Sequence, residues 1–245
     1  MTRPLDKSHP LPIYYQLKEL LREKIVAGEW QPGEMIPSER ELSERYGISR
    51  MTARQALKEL TTEGLLYREQ GRGTFVAEPK IEQRLAKLTS FSEDMLSRGF
   101  QPGGRVLRQE MVSPSTLACR ALGITPEQPV VLLERLRLAE GEPIALETSH
   151  LYFEGVEGLL EEDFENSSLY NILREKYGVI PTRAEQQVGA DLCSHREQEL
   201  FGIPEGSPVL RNKRIAFDQH DRPFEYTESA YRADRYVFQI ELGTL

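Results

Sequence analysis

Apolar residues recur at Ile13, Leu17, Leu20, Leu21 and Ile25, the spacing of a helix with one buried face, and the pattern starts directly after Pro12. Gly28 and the Trp30-Gln-Pro-Gly33 group end it. Pro37-Ser38-Glu39-Arg40-Glu41 then sets a serine three residues before a glutamate, a capping box that predicts a short helix through Leu42 to about Tyr46. Gly47 and Ile48 make a turn. Ser49 caps a third helix running to about Glu63, where Gly64 supplies the left-handed residue that such an end favours. At about 100° per residue, Ala53, Ala56, Leu57 and Leu60 share one arc of this helix, and Arg50, Met51, Arg54, Gln55 and Lys58 share the opposite one. Three helices with a tight glycine turn before the third predict a helix-turn-helix. The β-prone runs Leu65–Arg68 and Thr74–Ala77 around Glu69-Gln-Gly-Arg-Gly73 add a hairpin with a basic tip, and so a wing.

Beyond a short polar linker the pattern changes. Leu122-Gly-Ile-Thr-Pro-Glu-Gln-Pro-Val130 is echoed by Phe201-Gly-Ile-Pro-Glu-Gly-Ser-Pro-Val209. Each copy is followed by a β-run, a polar turn with Pro143 or Pro223, and a returning run with Thr148 and Ser149 or Thr227 and Ser229. The offset of about eighty residues predicts two related helix-plus-hairpin halves in one sheet, an α+β arrangement with antiparallel strands. In the first hairpin Val131, Leu133, Arg135 and Arg137 alternate onto one face, with Val130, Leu132, Leu136 and Leu138 on the other. A three-residue loop Glu140-Gly-Glu142 puts Arg135 opposite Glu147, and a two-residue loop sends Glu147 to the other face. The expected layout is a winged helix-turn-helix domain over 1–78, a linker over 79–87 and an α+β domain over 88–245.

Charge is segregated between these parts. Residues 1–78 hold 12 basic and 12 acidic residues, and the remainder holds 19 and 27, so the whole net charge of −8 belongs to the second part. Within the balanced part, Arg45 to Lys58 carries four cations and no acid over fourteen residues. That gap, a capped helix and a Gly71-Arg72-Gly73 tip together point to double-stranded DNA, with the third helix in the major groove and the wing close to the backbone or minor groove. Arg50 and Arg54 can present guanidinium forks to guanine edges or to phosphates. Two cysteines, Cys119 and Cys193, and a start without an apolar signal core lead to the expectation of a reducing, cytoplasmic setting. No apolar run is long enough for a membrane span. The four histidines lack ligand spacing with the cysteines, so neither metal nor cofactor is expected.

In the second part, Ser90 and Ser168 stand where helices can begin, and free N–H groups at helix starts beside Arg135 and Arg137 suit a phosphate or carboxylate. Surface arginines paired with acids are the plain alternative. The candidate pocket offers arginine, serine, tyrosine and glutamate but no serine or cysteine with a neighbouring histidine, so no catalytic residue is named. An enzyme fused to a DNA-binding head remains the alternative class.

The runs Pro12-Ile-Tyr-Tyr-Gln-Leu17, Gly33-Glu-Met-Ile-Pro-Ser-Glu-Arg-Glu-Leu42, Ser49-Arg-Met-Thr-Ala-Arg-Gln-Ala-Leu57 and Gly71-Arg-Gly-Thr-Phe-Val76 resemble the DNA-binding domain of GntR-type bacterial transcription regulators. The resemblance implies that Arg40, Arg50 and Arg54 contact operator DNA, with Ser49 and Thr52 near phosphates and Gly71, Arg72 and Gly73 at the wing tip. Thr89-Ser-Phe-Ser-Glu-Asp-Met95 with Arg98-Gly99, Leu136–Pro143, Ser168-Leu-Tyr170 and Glu225–Tyr236 resemble the UTRA effector domain of the HutC branch, which has a chorismate-lyase-like fold. The pattern is most similar to amino-sugar regulators that respond to glucosamine-6-phosphate or N-acetylglucosamine-6-phosphate. It implies that Ser90, Arg135, Arg137, Ser168 and Tyr170 hold a phosphate, and that Glu147, Glu225 and Tyr231 meet sugar hydroxyls or the amine. It further implies a homodimeric repressor of amino-sugar uptake and catabolism genes on a near-palindromic operator. Related regulators with other anionic effectors share the arginine hairpin.

Overall fold

The computed structural model describes residues 5, 6, 8–69, 71–85 and 87–242, and contacts divide the chain into two compact units, Met1–Lys80 and Ile81–Leu245. In the first unit α1 (Ile13–Val26), α2 (Glu39–Tyr46) and α3 (Arg50–Thr62) precede the antiparallel pair β1 (Leu66–Glu69) and β2 (Gly73–Val76). The capping box on α2 forms as expected, with Glu41 N–H donating to Ser38 Oγ and Ser38 N–H donating back to the Glu41 carboxylate. Ser49 caps α3 by accepting from Thr52 N–H, and Gly64 beyond its end has φ +77°. Leu17 and Leu21 of α1, Leu42 of α2 and the Ala53, Ala56, Leu57 and Leu60 arc of α3 form one buried cluster closed by Leu66 and Val76 of the wing strands. Each buried leucine contributes about 1.5–3 kcal/mol, which fixes α3 with its polar arc outward.

The second unit is built on a six-stranded sheet in which every neighbouring pair is antiparallel, in the order β4-β5-β6-β9-β8-β7. These strands are β4 (Pro102–Val112), β5 (Val130–Ala139), β6 (Glu142–Leu151), β7 (Arg183–Leu192), β8 (Pro208–Phe217) and β9 (Pro223–Arg232). The duplication accounts for this order. One half contributes β4, α5 (Thr116–Leu122), β5 and β6, the other contributes β7, α7 (His195–Phe201), β8 and β9, and the two meet along β6 and β9. Both helices begin at a capping serine, Ser115 or Ser194, and end on a left-handed glycine, Gly123 or Gly202. Phe201 of α7 packs with Leu136 and Leu146, and Leu122 of α5 packs with Val130 and Tyr226, on one sheet face. Val131 and Leu133, whose side chains leave β5 on the other face, pack with α6 (Leu169–Lys176) and the 3-10 helix Val156–Glu161.

One expectation needs correction and one open alternative is resolved. Residues 81–84, assigned to a linker, form strand β3 (Ile81–Arg84), which pairs in parallel with β10 (Tyr236–Gln239). Ile81 and Gln83 turn inward while Glu82 and Arg84 turn out, a period too short to read in four residues whose partner lies at the far end of the chain. The loop of the first hairpin is also shorter than the three residues that would align Arg135 with Glu147. Only Glu140 and Gly141 lie between the strands, both at positive φ as a two-residue hairpin turn requires. Arg135 nevertheless faces Glu147, because Ile144 is the extra residue of a bulge between the pairs Leu138–Pro143 and Arg137–Ala145. Its side chain is fully buried, which anchors the bulge.

Candidate functional site

The exposed arc of α3 presents Arg50, Met51, Arg54, Gln55 and Lys58. Although α3 has no acid on this stretch, Glu39 of α2 reaches it. Its carboxylate accepts from Arg54 Nε at 2.9 Å and from Arg68 Nη2 of β1 at 3.1 Å, joining the helix to the wing. Arg40 is exposed, with Glu44 no nearer than 3.9 Å. The hydroxyls of Ser49 and Thr52 lie 2.8 Å apart at the helix start. At the wing tip Gly71 has φ +75° and Gly73 φ +146°, and a Cβ on Gly73 would come within 2.9 Å of Met35 Sδ. Arg72 pairs with Glu69 and lies over the Phe75 ring. Gln70, between them, lies outside the described residues. The eight residues expected to address DNA thus occupy the start of α2, the start of α3 and the wing tip of one compact unit.

In the second unit, all eight expected effector residues line a single cavity. Its floor is the sheet, with Arg135 and Arg137 from β5, Glu147 from β6, and Glu225 and Tyr231 from β9. Its roof is the start of α4 (Phe91–Ser97), with Ser90, and the start of α6, with Ser168 and Tyr170. Ser90 closes a capping box with Glu93. Ser168 departs from the expected role, because its side chain caps nothing and its hydroxyl donates to Ser90 Oγ at 3.2 Å. The early N–H groups of α6 are thereby without a side-chain cap.

The cavity is rich in cations that the protein leaves partly unsatisfied. Arg135 and Arg137 are each 3% exposed. Arg135 pairs through Nη2 with Glu147, yet its Nε and Nη1 donate to nothing described. Arg137 donates from Nη2 to Ser92 Oγ at 3.0 Å, stacks its guanidinium 4.6 Å from the Phe91 ring centre, and has no partner for Nε. Burial, together with the Arg135 guanidinium, pushes Arg137 down to about 9. Burial pushes Glu147 up, but Arg135 and Arg137 outweigh it and hold the carboxyl below its usual range. Glu225 is raised by burial and by Glu147, although it accepts from Tyr170 Oη at 2.8 Å and Ser149 Oγ at 2.9 Å. An unmet buried donor costs about 1–3 kcal/mol, more beside a charge, so the site is electrostatically primed for an anion. Its volume is about 30 Å³. A neighbouring cavity of about 180 Å³ shares Ser92, Arg137 and Ser168 with it.

A third guanidinium, Arg214 of β8, also lines the cavity and was not among the expected residues. It donates from Nε to Gln186 Oε1 at 2.9 Å, and Tyr170, Tyr231 and Glu225 favour its charge against burial. The signal that finds it is the duplication itself: at the offset of 79 that carries Leu122 to Phe201, Arg135 falls on Arg214. The roof residue Ser92 and the floor residues Asn212, Thr227 and Ser229 were likewise unassigned.

Comparison with known proteins accords with both units. Residues 13–76 match the model for bacterial regulatory proteins of the gntR family, and residues 97–237 match the UTRA domain. The chain is 45% identical over 235 residues to the HTH-type transcriptional repressor NagR of Bacillus subtilis, covering 96% of each chain. It is 31% identical to the mannosyl-D-glycerate transport/metabolism system repressor MngR of Escherichia coli, covering 94% of this chain and 95% of that one. Among solved structures, PhnF from Mycobacterium smegmatis superposes with a TM-score of 0.66 at 31% identity, covering 93% of this chain and 99% of that one. These relatives are regulators, which sets aside the alternative of an enzyme fused to a DNA-binding head. The chain belongs to the gntR family of bacterial regulatory proteins, of the HutC type with a UTRA domain, and is a transcriptional repressor that binds operator DNA and a small-molecule effector.

Proposed function

We propose that the effector is an amino-sugar phosphate, glucosamine-6-phosphate or N-acetylglucosamine-6-phosphate, and that the genes controlled serve amino-sugar uptake and catabolism. The observation that carries this reading is the set of unpartnered buried N–H groups on Arg135 and Arg137, which line one cavity. A phosphate accepts from several donors at once, and forked guanidiniums suit it. Ser90, Ser168 and Tyr170 complete its surroundings, while Glu147, Glu225 and Tyr231 offer acceptors and a hydroxyl to a polyol or amine.

The cavity adjoins a space of about 180 Å³ that shares Ser92, Arg137 and Ser168 with it, and movement of Arg137 or of the starts of α4 and α6 gives a hexosamine phosphate more room in this reading. Such movement is the proposed source of regulation, because a ligand shifts an equilibrium only by binding two arrangements unequally. The effector domains pair two subunits in this reading, so that two heads address the half-sites of a near-palindrome. Arg40, Arg50, Arg54 and Arg72 supply the cationic contacts, with Ser49, Thr52, Gly71 and Gly73 against the backbone. Titrating glucosamine-6-phosphate and N-acetylglucosamine-6-phosphate into a protein–operator complex tests the regulatory claim. Operator affinity that stays constant through saturation with both sugars excludes them, and a shift with a different sugar phosphate reassigns the effector.

A further inference from the structure

Two rows of side chains cross the cavity floor from strand to strand. One runs Arg135, Glu147, Ser229, Asn212 over β5, β6, β9 and β8, and the next runs Leu133, Ser149, Thr227, Arg214 over the same strands. The duplication, at offsets of 79 in β5 and β8 and 80 in β6 and β9, makes each row the other read backwards. Arg135 answers to Arg214, Glu147 to Thr227, Ser229 to Ser149, and Asn212 to Leu133. Symmetry is broken at two positions, and one of these places a buried amide where its duplicate has a leucine.

Leu133 sits fully buried in an apolar cluster. Asn212 is almost as buried, at 2% exposure, yet its side-chain oxygen accepts from no described group. Ser229, its cross-strand neighbour, differs from its own duplicate in the same way. Ser149 is engaged with Glu225 and Thr227, whereas the Ser229 hydroxyl bonds to no described residue. Glu147, next along the row, gives one carboxylate oxygen to Arg135, and its other oxygen bonds to no described side chain. Burying polar groups without partners is unfavourable, and Leu133 shows that an apolar residue fits this kind of floor position. The buried oxygen of Asn212 is therefore left for a donor from outside the chain, with the Ser229 hydroxyl beside it.

We propose that Asn212 and Ser229, with the free oxygen of Glu147, form a second polar subsite of the cavity that receives a hydrogen-bond-donating group, an ammonium or amide N–H, on the same small molecule whose anion sits at Arg137. The subsite rests on the anion reading given above and extends it to the ligand's other end. Neighbouring strands lie about 4.8 Å apart, so the acceptors from Glu147 to Asn212 span about 10 Å. A bare inorganic anion at the arginines does not cover that row. An elongated molecule with an anion at one end and a nitrogen-borne donor toward the other does, which selects amino- or acylamino-sugar phosphates over simple sugar phosphates.

Calorimetric titration of the full-length protein with inorganic phosphate, glucose-6-phosphate, glucosamine-6-phosphate and N-acetylglucosamine-6-phosphate tests this. Wild type is expected to prefer at least one nitrogen-bearing sugar over glucose-6-phosphate by about ten-fold or more. Asn212→Leu, the residue carried at the duplicate position, should shrink that preference to within about three-fold and leave inorganic phosphate unchanged within about two-fold. Ser229→Ala should act in the same direction and more weakly. An unaltered preference in both variants, or equal weakening of all four ligands, overturns the subsite. Equal binding of the three sugars by wild type overturns the subsite alone, whereas no binding of any phosphate ligand overturns the anion reading and the subsite with it.

Discussion

Replacing Arg137 by methionine is expected to make the ligand-free protein more stable while abolishing its response to the effector. The fall of this guanidinium to about 9 corresponds to about 5 kcal/mol working against the charged side chain, at 1.36 kcal/mol per pH unit. The side chain stays charged at pH 7, so that penalty is fully present there. Acting in its favour are the hydrogen bond to Ser92 and the stacking on Phe91, together about 2–3 kcal/mol. Methionine fills a similar unbranched volume without a charge to desolvate. The balance favours Arg137→Met by about 2–3 kcal/mol, within the roughly 1–4 kcal/mol seen when buried charges yield to apolar residues. At about 2–4 °C per kcal/mol for a domain of this size, the melting temperature should rise by several degrees at pH 7. The assay is thermal unfolding of wild type and variant with and without glucosamine-6-phosphate. A variant that melts below wild type without ligand would refute the reasoning, since the guanidinium would then be a structural member and not a cation awaiting its anion.

Three further outcomes are expected. Arg54→Ala should lose about 1–3 kcal/mol of operator affinity, whereas Glu39→Gln, which removes the carboxylate held by Arg54 and Arg68, should tighten binding to random-sequence DNA; both are read by fluorescence anisotropy across a salt series. Tyr236→Phe deletes the hydrogen bond from Tyr236 Oη to Asp94, which ties β10 to α4, but keeps the ring packed on the cavity residue Tyr231; effector and operator should each still bind, with the effect of one on the other reduced, and full retention of that coupling contradicts a role for this contact. Burial lowers His150 below its usual 6.5, so the unfolded chain binds the proton first and stability falls as pH drops below about 6.5; His150→Phe should be relatively more stable at pH 5 than at pH 7.5 in denaturant titrations, and a pH-independent difference contradicts this.

The head was legible because its signals are local. Ser38 and Glu41, Ser49 and Gly64 each fix a helix end within four residues. The Glu39 bridge to Arg54 and Arg68 was not legible, because it joins residues 15 and 29 positions apart. In the sensing unit, alternation placed Arg135 and Arg137 on one face, but whether Glu147 joined them turned on a single bulged residue, Ile144, that alternation cannot reveal. Arg214 and Asn212 lay within reach of the repeat, whose offset was visible at Gly123 and Gly202 and needed only to be carried into the strands. Strand β3 was beyond reach, since four residues gain their meaning from a partner at the other end of the chain.

The duplication also explains why a sensor arises on this sheet. Two copies of one hairpin that meet along β6 and β9 place two arginines, Arg135 and Arg214, on a common floor. The two have diverged. Arg214 has its charge supported by Tyr170, Tyr231 and Glu225 and has no unpartnered buried nitrogen among the described groups, so it braces the floor. Arg135, with Arg137 two residues on, keeps unpartnered donors at the cavity. Those donors are held against an electrostatic cost that an anion would exchange for hydrogen bonds. In the proposed reading, an anion that binds two arrangements of the roof with different affinity supplies the free energy that moves the operator-binding equilibrium.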